Sequence, residues 1–144
     1  MTDAVPCPLC ALRAQDALWS DNRCLVVKAH LPGIGDYCRV VWRDHVVEMS
    51  DLDRDARIHL LDVVCGVERT LRALARPTTM NLASLGNQVP HLHWHVIPRF
   101  ADDPYFPDSI WAHARRAPAE RRAWGDVLPS ALAETLGRLS KNPL

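Results

Sequence analysis

The sequence has no excess of charge of either sign: lysine plus arginine equals aspartate plus glutamate, at 17 each. That balance removes the electrostatic case for wrapping a long polyanion such as DNA or RNA, whereas a small anionic ligand needs only a local site. No apolar run approaches the ~18 residues that would suggest a membrane span, so no membrane partner is expected. The opening MTDAVPCPLC has an early aspartate and two prolines but no apolar core segment, and no secretory signal is expected there. Internal repeats and low-complexity tracts are also lacking. With 144 residues, 48% of them apolar, the chain has room for one substantial core and not for two ordinary domains. The expectation is one domain over 1–144, with a core at about 7–100 and a tail at about 101–144. The five cysteines (Cys7, Cys10, Cys24, Cys38, Cys65) are odd in number and include a C-x-x-C pair, which suits a reducing compartment better than a disulfide framework and predicts a cytoplasmic protein.

What is present falls into three regions. Short β-prone runs at Ala17 to Ser20, Cys24 to Lys28 and Tyr37 to Trp42 alternate with turn signals at Asp21-Asn22 and Pro32-Gly33, predicting an antiparallel meander. Ser50 as N-cap, with Asp53 three residues on, opens a helical pattern of Leu60, Leu61, Val64, Val67, Leu71 and Leu74 that Pro77 ends. Two further strands, Thr79 to Leu85 and Leu92 to Pro98, flank the turn Gly86-Asn87. A proline-rich stretch after Phe100 leads to weaker helices near Pro118 to Trp124 and Asp126 to Leu139. This order, without regular βαβ alternation, predicts an α+β fold with one long helix and a C-terminal helical tail.

The chemistry concentrates in His91-Leu92-His93-Trp94-His95-Val96-Ile97. The two-residue period of a strand puts three imidazoles on one exposed face, with Leu92, Trp94 and Val96 against the core. Three readings compete: solvated surface histidines, a metal site using the imidazoles as ligands, and a neutral imidazole acting as a nucleophile. Spacing alone does not separate metal from nucleophile. At Cys7-Pro8-Leu9-Cys10, the C-x-x-C spacing lets two thiolates share one tetrahedral ion, although two more ligands are needed.

The segment Gly86-Asn87-Gln88-Val89-Pro90-His91-Leu92-His93-Trp94-His95-Val96-Ile97-Pro98-Arg99 resembles the signature of the histidine triad (HIT) family, His-φ-His-φ-His-φ-φ with φ apolar. The resemblance implies a HIT-like fold of about five antiparallel strands, joined into a homodimer. It implies a nucleotide hydrolase or nucleotidyl transferase acting at the α-phosphate of a dinucleoside polyphosphate or nucleoside phosphoramidate. His93 would form a nucleotidyl-histidine intermediate, His95 would hydrogen-bond the phosphate or leaving group, and His91 would orient His93. Asn81 is similar to a substrate-contacting asparagine of the family, with a loop to His91 one residue shorter than in many members. Asn87 and Gln88 stand where the family has phosphate-binding Gln followed by Ser or Thr.

The same resemblance implies a structural zinc held by Cys7, Cys10, His45 and His91, and no organic cofactor. The chain departs from the family where the purine and ribose bind, with Ala29-His30 and Asp36-Tyr37 in place of the usual aspartate and Gly-His. His30 and Tyr37 are candidate polar substitutes there. Trp42, Trp94 and Trp111 read as core or interface mass. Arg99, Arg115, Arg116, Arg121 and Arg122 read as solvated, the last four on the weak helices. Two rival functions stand beside the hydrolase: a nucleotide-binding regulator with little turnover, and a metalloenzyme using the triad as ligands.

Overall fold

A computed structural model describes residues 6–139; residues 1–5, within the opening stretch where no secretory signal is expected, lie outside them. In chain order the elements are β1 (Trp19–Ser20), β2 (Cys24–Leu31), β3 (Gly35–Trp42), α1 (Arg54–Ala75), β4 (Thr79–Ser84), β5 (His93–Arg99) and α2 (Val127–Leu136). The strands form one antiparallel sheet in the order β1-β2-β3-β5-β4. This is the expected α+β architecture. Among the described residues no helix is long and apolar enough to cross a membrane.

Alternation along the strands assigns the two faces. Cys24, Val26, Cys38, Val40, Trp42 and Val96 point to one side, where α1 lays down Leu60, Val63, Val64, Val67 and Leu71 and α2 adds Leu128, Leu132 and Leu136. Gly66 makes this helix pairing close: a Cβ there would lie 2.4 Å from Leu136 Cδ2. The opposite face carries the triad. It is covered at one end by Leu9, Leu12 and Ala17 against Leu25, Val27 and Val41, and at the other by Tyr105 and Ile110 against Ile34, Tyr37 and Ile97.

Several sequence expectations need correction. The N-cap of α1 is Asp53, whose carboxylate accepts from the Ala56 amide at 2.8 Å, while Ser50 lies in a preceding 3-10 turn, Met49–Asp51. Leu61 is on the outer face of α1, 41% exposed. The predicted helix near Pro118 to Trp124 is absent. That segment is a strap instead: Arg121 donates to the Gly33 carbonyl, pairs with Asp102 and stacks on Phe100 with its Cζ 3.9 Å from the ring centroid. Tertiary anchors of this kind outweigh the local helical preference of an alanine- and arginine-rich stretch. Gly33 serves the same docking. It has φ +80 in the β2–β3 turn, and a Cβ would meet Pro104 at 2.5 Å.

Candidate active site and adjoining cysteine-histidine cluster

The three triad imidazoles are not on an exposed face. His91, His93 and His95 are 1%, 8% and 7% exposed, and they serve two separate places. His91 precedes β5 and its ring turns toward the N-terminal segment. His93 and His95 line a cavity of about 350 Å³ with Arg39, Leu85, Asn87, Gln88, Val89 and Trp111. This volume is at the lower end of the roughly 300–1,000 Å³ usual for small-molecule sites.

Backbone carbonyls fix the tautomers of the first two histidines, because a carbonyl oxygen can only accept. His93 Nδ1–H donates to the His91 carbonyl at 2.6 Å, leaving the lone pair of His93 on Nε2. His91 Nε2–H donates to the Trp42 carbonyl at 2.6 Å, leaving its lone pair on Nδ1. That Nδ1 is 3.4 Å from Cys7 Sγ and 3.5 Å from Cys10 Sγ, and Cys10 Sγ is 3.2 Å from His45 Nδ1. All four ligand atoms lie within 4.8 Å of one another. A tetrahedral zinc with the usual Zn–S and Zn–N lengths separates its ligands by roughly 3.3–3.8 Å, so the donor set fits.

Local structure explains how these residues meet. Leu9 and Leu12 dock on the sheet and carry the cysteines with them. Hydrogen bonds Trp42 N–H to Leu92 O and Leu92 N–H to Val46 O run the loop holding His45 alongside His91. Burial holds the His91 pKa below the ordinary histidine value, against the Trp42 carbonyl bond, with His45 and His93 adding to the lowering. The triad does not act as one chelate: among the described residues, no group of three or more converging His, Cys, Asp or Glu side chains includes His93 or His95.

His95 sits edge-on to Trp111 with ring centroids 5.0 Å apart, and its Nδ1 is buried without a partner. Burial, with His93 and Arg39 beside it, pushes its pKa down to about 4. Between about pH 6.5 and about pH 4 the unfolded chain therefore takes up a proton that the folded chain refuses, and stability falls as the pH falls through that window. Denaturant titrations are expected to show about 3 kcal/mol of such loss from this group. His95→Gln should flatten the slope; an unchanged slope in the variant would refute the assignment.

The remaining sequence candidates divide. Asn87 and Gln88 line the cavity. Asn81 does not: its carboxamide oxygen accepts from Arg99 at 2.7 Å. His30 pairs with Asp36 at 2.9 Å across the β2–β3 hairpin, and Tyr37 is buried against Ile34, Ile97 and Ile110, so neither lines the cavity. Arg99 is 2% exposed, the reverse of a solvated residue, and is held by Asp103 and the Asp108 carbonyl. Trp111 is half exposed at the cavity wall and so is not core mass.

Arg39, Leu85, Val89 and Trp111 are the cavity residues that sequence reasoning missed. A charged residue inside the otherwise apolar run Tyr37 to Trp42, on the same strand face as Val41, was the available signal for Arg39. Trp111 had none, because its position depends on how the tail folds back.

An open antiparallel sheet backed by a long helix is an architecture that known proteins share. The HIT domain model matches residues 13–102, and the chain belongs to the HIT family. It is similar to a histidine triad protein from Bradyrhizobium japonicum, at 25% identity and TM-score 0.69 over 87% of this chain and 96% of that one. A histidine triad protein from Marinobacter aquaeolei is also 25% identical, with TM-score 0.67 over 88% and 93%. A zinc-bound histidine triad family protein from Mycobacterium smegmatis shares the fold at 19% identity, with TM-score 0.57 over 94% and 96%. No curated protein sequence matches the chain.

Proposed function

We propose that the protein is a nucleotide hydrolase or nucleotidyl transferase in which His93 attacks the α-phosphorus of its substrate. The observation that carries this reading is the 2.6 Å bond from His93 Nδ1–H to the His91 carbonyl, which leaves Nε2 as the free lone pair of an imidazole lining the cavity. Family membership supports a nucleotide as the ligand.

The lone pair of Nε2 forms a bond to phosphorus while the bond to the leaving group breaks and that group departs with its electron pair. Water then attacks phosphorus and gives up a proton to solvent, the electron pair of the breaking P–N bond returns to Nε2, and the imidazole is neutral again with its Nδ1–H still on the carbonyl. His95, neutral in the free protein, hydrogen-bonds the phosphate or leaving group, and Asn87 and Gln88 offer amide donors to phosphate oxygens. His91 is a positioning residue that acts through its carbonyl. Incubation with adenosine 5′-phosphoramidate and diadenosine tetraphosphate, an alkaline quench and intact mass measurement should reveal an adenylylated chain and released AMP. Tight binding without adduct or turnover would replace this reading with the regulator. Turnover abolished by chelator without any adduct would favour a metalloenzyme.

The adjoining cluster supports a structural zinc held by Cys7, Cys10, His45 and His91. Bound there, zinc would cross-link the N-terminal segment, the loop after β3 and the residues just before β5, and four protein ligands would make a closed site. Zinc analysis is expected to give ~1 ion per chain, lost in Cys10→Ser together with a lowered melting temperature. Full zinc content in that variant would remove Cys10 from the ligand set. The unpaired edge of β4 and the roughly two-fifths exposed Leu82 and Leu85 support the homodimer that the family resemblance implies.

A further inference from the structure

Arg39 stands apart from the other arginines that reach into the structure. Arg99, Arg116 and Arg121 are each spent on carboxylates or carbonyls. The Arg39 side chain makes no hydrogen bond or ion pair among the described residues, and its Nε is buried without a partner. Arg43 Nε shares that condition but lies outside the cavity, whereas Arg39 lines it. No carboxylate is among the cavity's lining residues, so nothing on that wall neutralises the guanidinium. A partly desolvated guanidinium with no partner is costly unless a ligand completes it, and its fork of donors matches phosphate oxygens.

Its position says which part of a substrate it meets. In the β3–β5 register Val41 pairs with His93 and Arg39 pairs with His95. The charge therefore stands two register positions further along the sheet from the nucleophile, on the same face and beside the histidine assigned to the leaving group. Beyond it the face is closed, because Tyr105 and Ile110 of the tail pack on Ala29 and Tyr37 and Trp111 walls the cavity next to His95. The room next to Arg39 therefore adjoins the reacting phosphorus.

We propose that Arg39 is a specificity-determining residue that binds a second anionic group, a phosphate on the leaving side of the substrate, and so favours phosphoanhydrides over substrates with a neutral amine leaving group. This rests on His93 being the nucleophile. The test compares kcat/KM for diadenosine tetraphosphate and adenosine 5′-phosphoramidate, which deliver the same adenylyl group. Arg39→Gln is expected to lower the first by about 10- to 100-fold and the second by less than about 3-fold, with Arg39→Lys between wild type and Gln on the anhydride.

A calorimetric arm needs no turnover: inorganic pyrophosphate should bind His93→Ala, and the further change Arg39→Gln should abolish that binding. Equal losses on both substrates, no loss on either, or pyrophosphate binding indifferent to Arg39 would each overturn the proposal. If His93→Ala abolishes turnover while Arg39→Gln shows no selectivity, the nucleophile stands and this role of Arg39 falls. If wild type turns over neither substrate yet binds pyrophosphate through Arg39, the anion site stands and the nucleophile falls.

Discussion

His93→Ala is expected to lower kcat by about 10⁴-fold or more on any substrate the wild type turns over, and to abolish the covalent adduct. The size follows from what is removed. Without the imidazole there is no two-step route, and water must displace the leaving group directly in a cavity shaped for a ring nitrogen. His95, Arg39, Asn87 and Gln88 would still bind the anion, so substrate affinity should change far less than turnover. A smaller effect is expected of His91 substitutions, provided that the backbone carbonyl keeps its place. Exogenous imidazole offered to His93→Gly should restore part of the rate, because the cavity would then accept the missing ring. Wild-type turnover in His93→Ala, or an adduct that persists in it, would end the nucleophile assignment.

The second large effect concerns stability and lies away from the reacting atoms. Arg99 and Asp103 are 2% and 0% exposed and joined by two hydrogen bonds, Nε to Oδ2 at 2.8 Å and Nη2 to Oδ1 at 3.0 Å. Both make further hydrogen bonds: Arg99 also reaches Asn81 and the Asp108 carbonyl, and Asp103 accepts the amides of Phe100, Tyr105 and Phe106. Burial raises the Asp103 pKa, but the Arg99 guanidinium and these amides outweigh it and hold the carboxyl below its ordinary value.

Removing one partner leaves a buried charge uncompensated, so Asp103→Ala should cost about 3–5 kcal/mol in denaturant unfolding, and Arg99→Met a similar amount. Replacing both should cost less than the sum of the single losses, since neither charge is then stranded. Because Asp103 begins the tail that places Ile110 and Trp111, the single variants should also loosen the cavity wall and raise KM. A cost below about 1 kcal/mol for Asp103→Ala would show that the pair is not what fastens the tail.

The local patterns in the chain carried a large part of this result. The two-residue alternation around His91-Leu92-His93-Trp94-His95 put Val96 and Leu92 in the core and His93 and His95 on the free face, because side-chain direction along a strand depends only on position. The helical spacing of Leu60, Val64, Val67 and Leu71 marked the buried side of α1 for the same reason. The C-x-x-C spacing and the family signature named Cys7, Cys10, His45 and His91, which converge. Asp53 was in view near the start of α1, but propensity alone did not separate it from Ser50 as the cap.

Other features depended on contacts between distant segments, which no local pattern encodes. Arg99 looks like any arginine at a strand end until Asp103, Asn81 and the Asp108 carbonyl are folded around it. Trp111 becomes a cavity wall because the tail folds back on the sheet, with Asp103 held by Arg99 and Ile110 packed against Tyr37 and Ile97. The tautomers of His91 and His93 are set by two carbonyls, one of them 49 positions away in sequence. The sequence by itself determined the strand bearing the histidines and the helix behind it, since periodicity is local, and its family resemblance named the four residues of the cysteine-histidine cluster. Only the tertiary structure decided which imidazole presents a lone pair to the cavity, which arginine is left without a partner beside it, and which is buried under the tail. Each of these turns on what a side chain finds opposite it after folding.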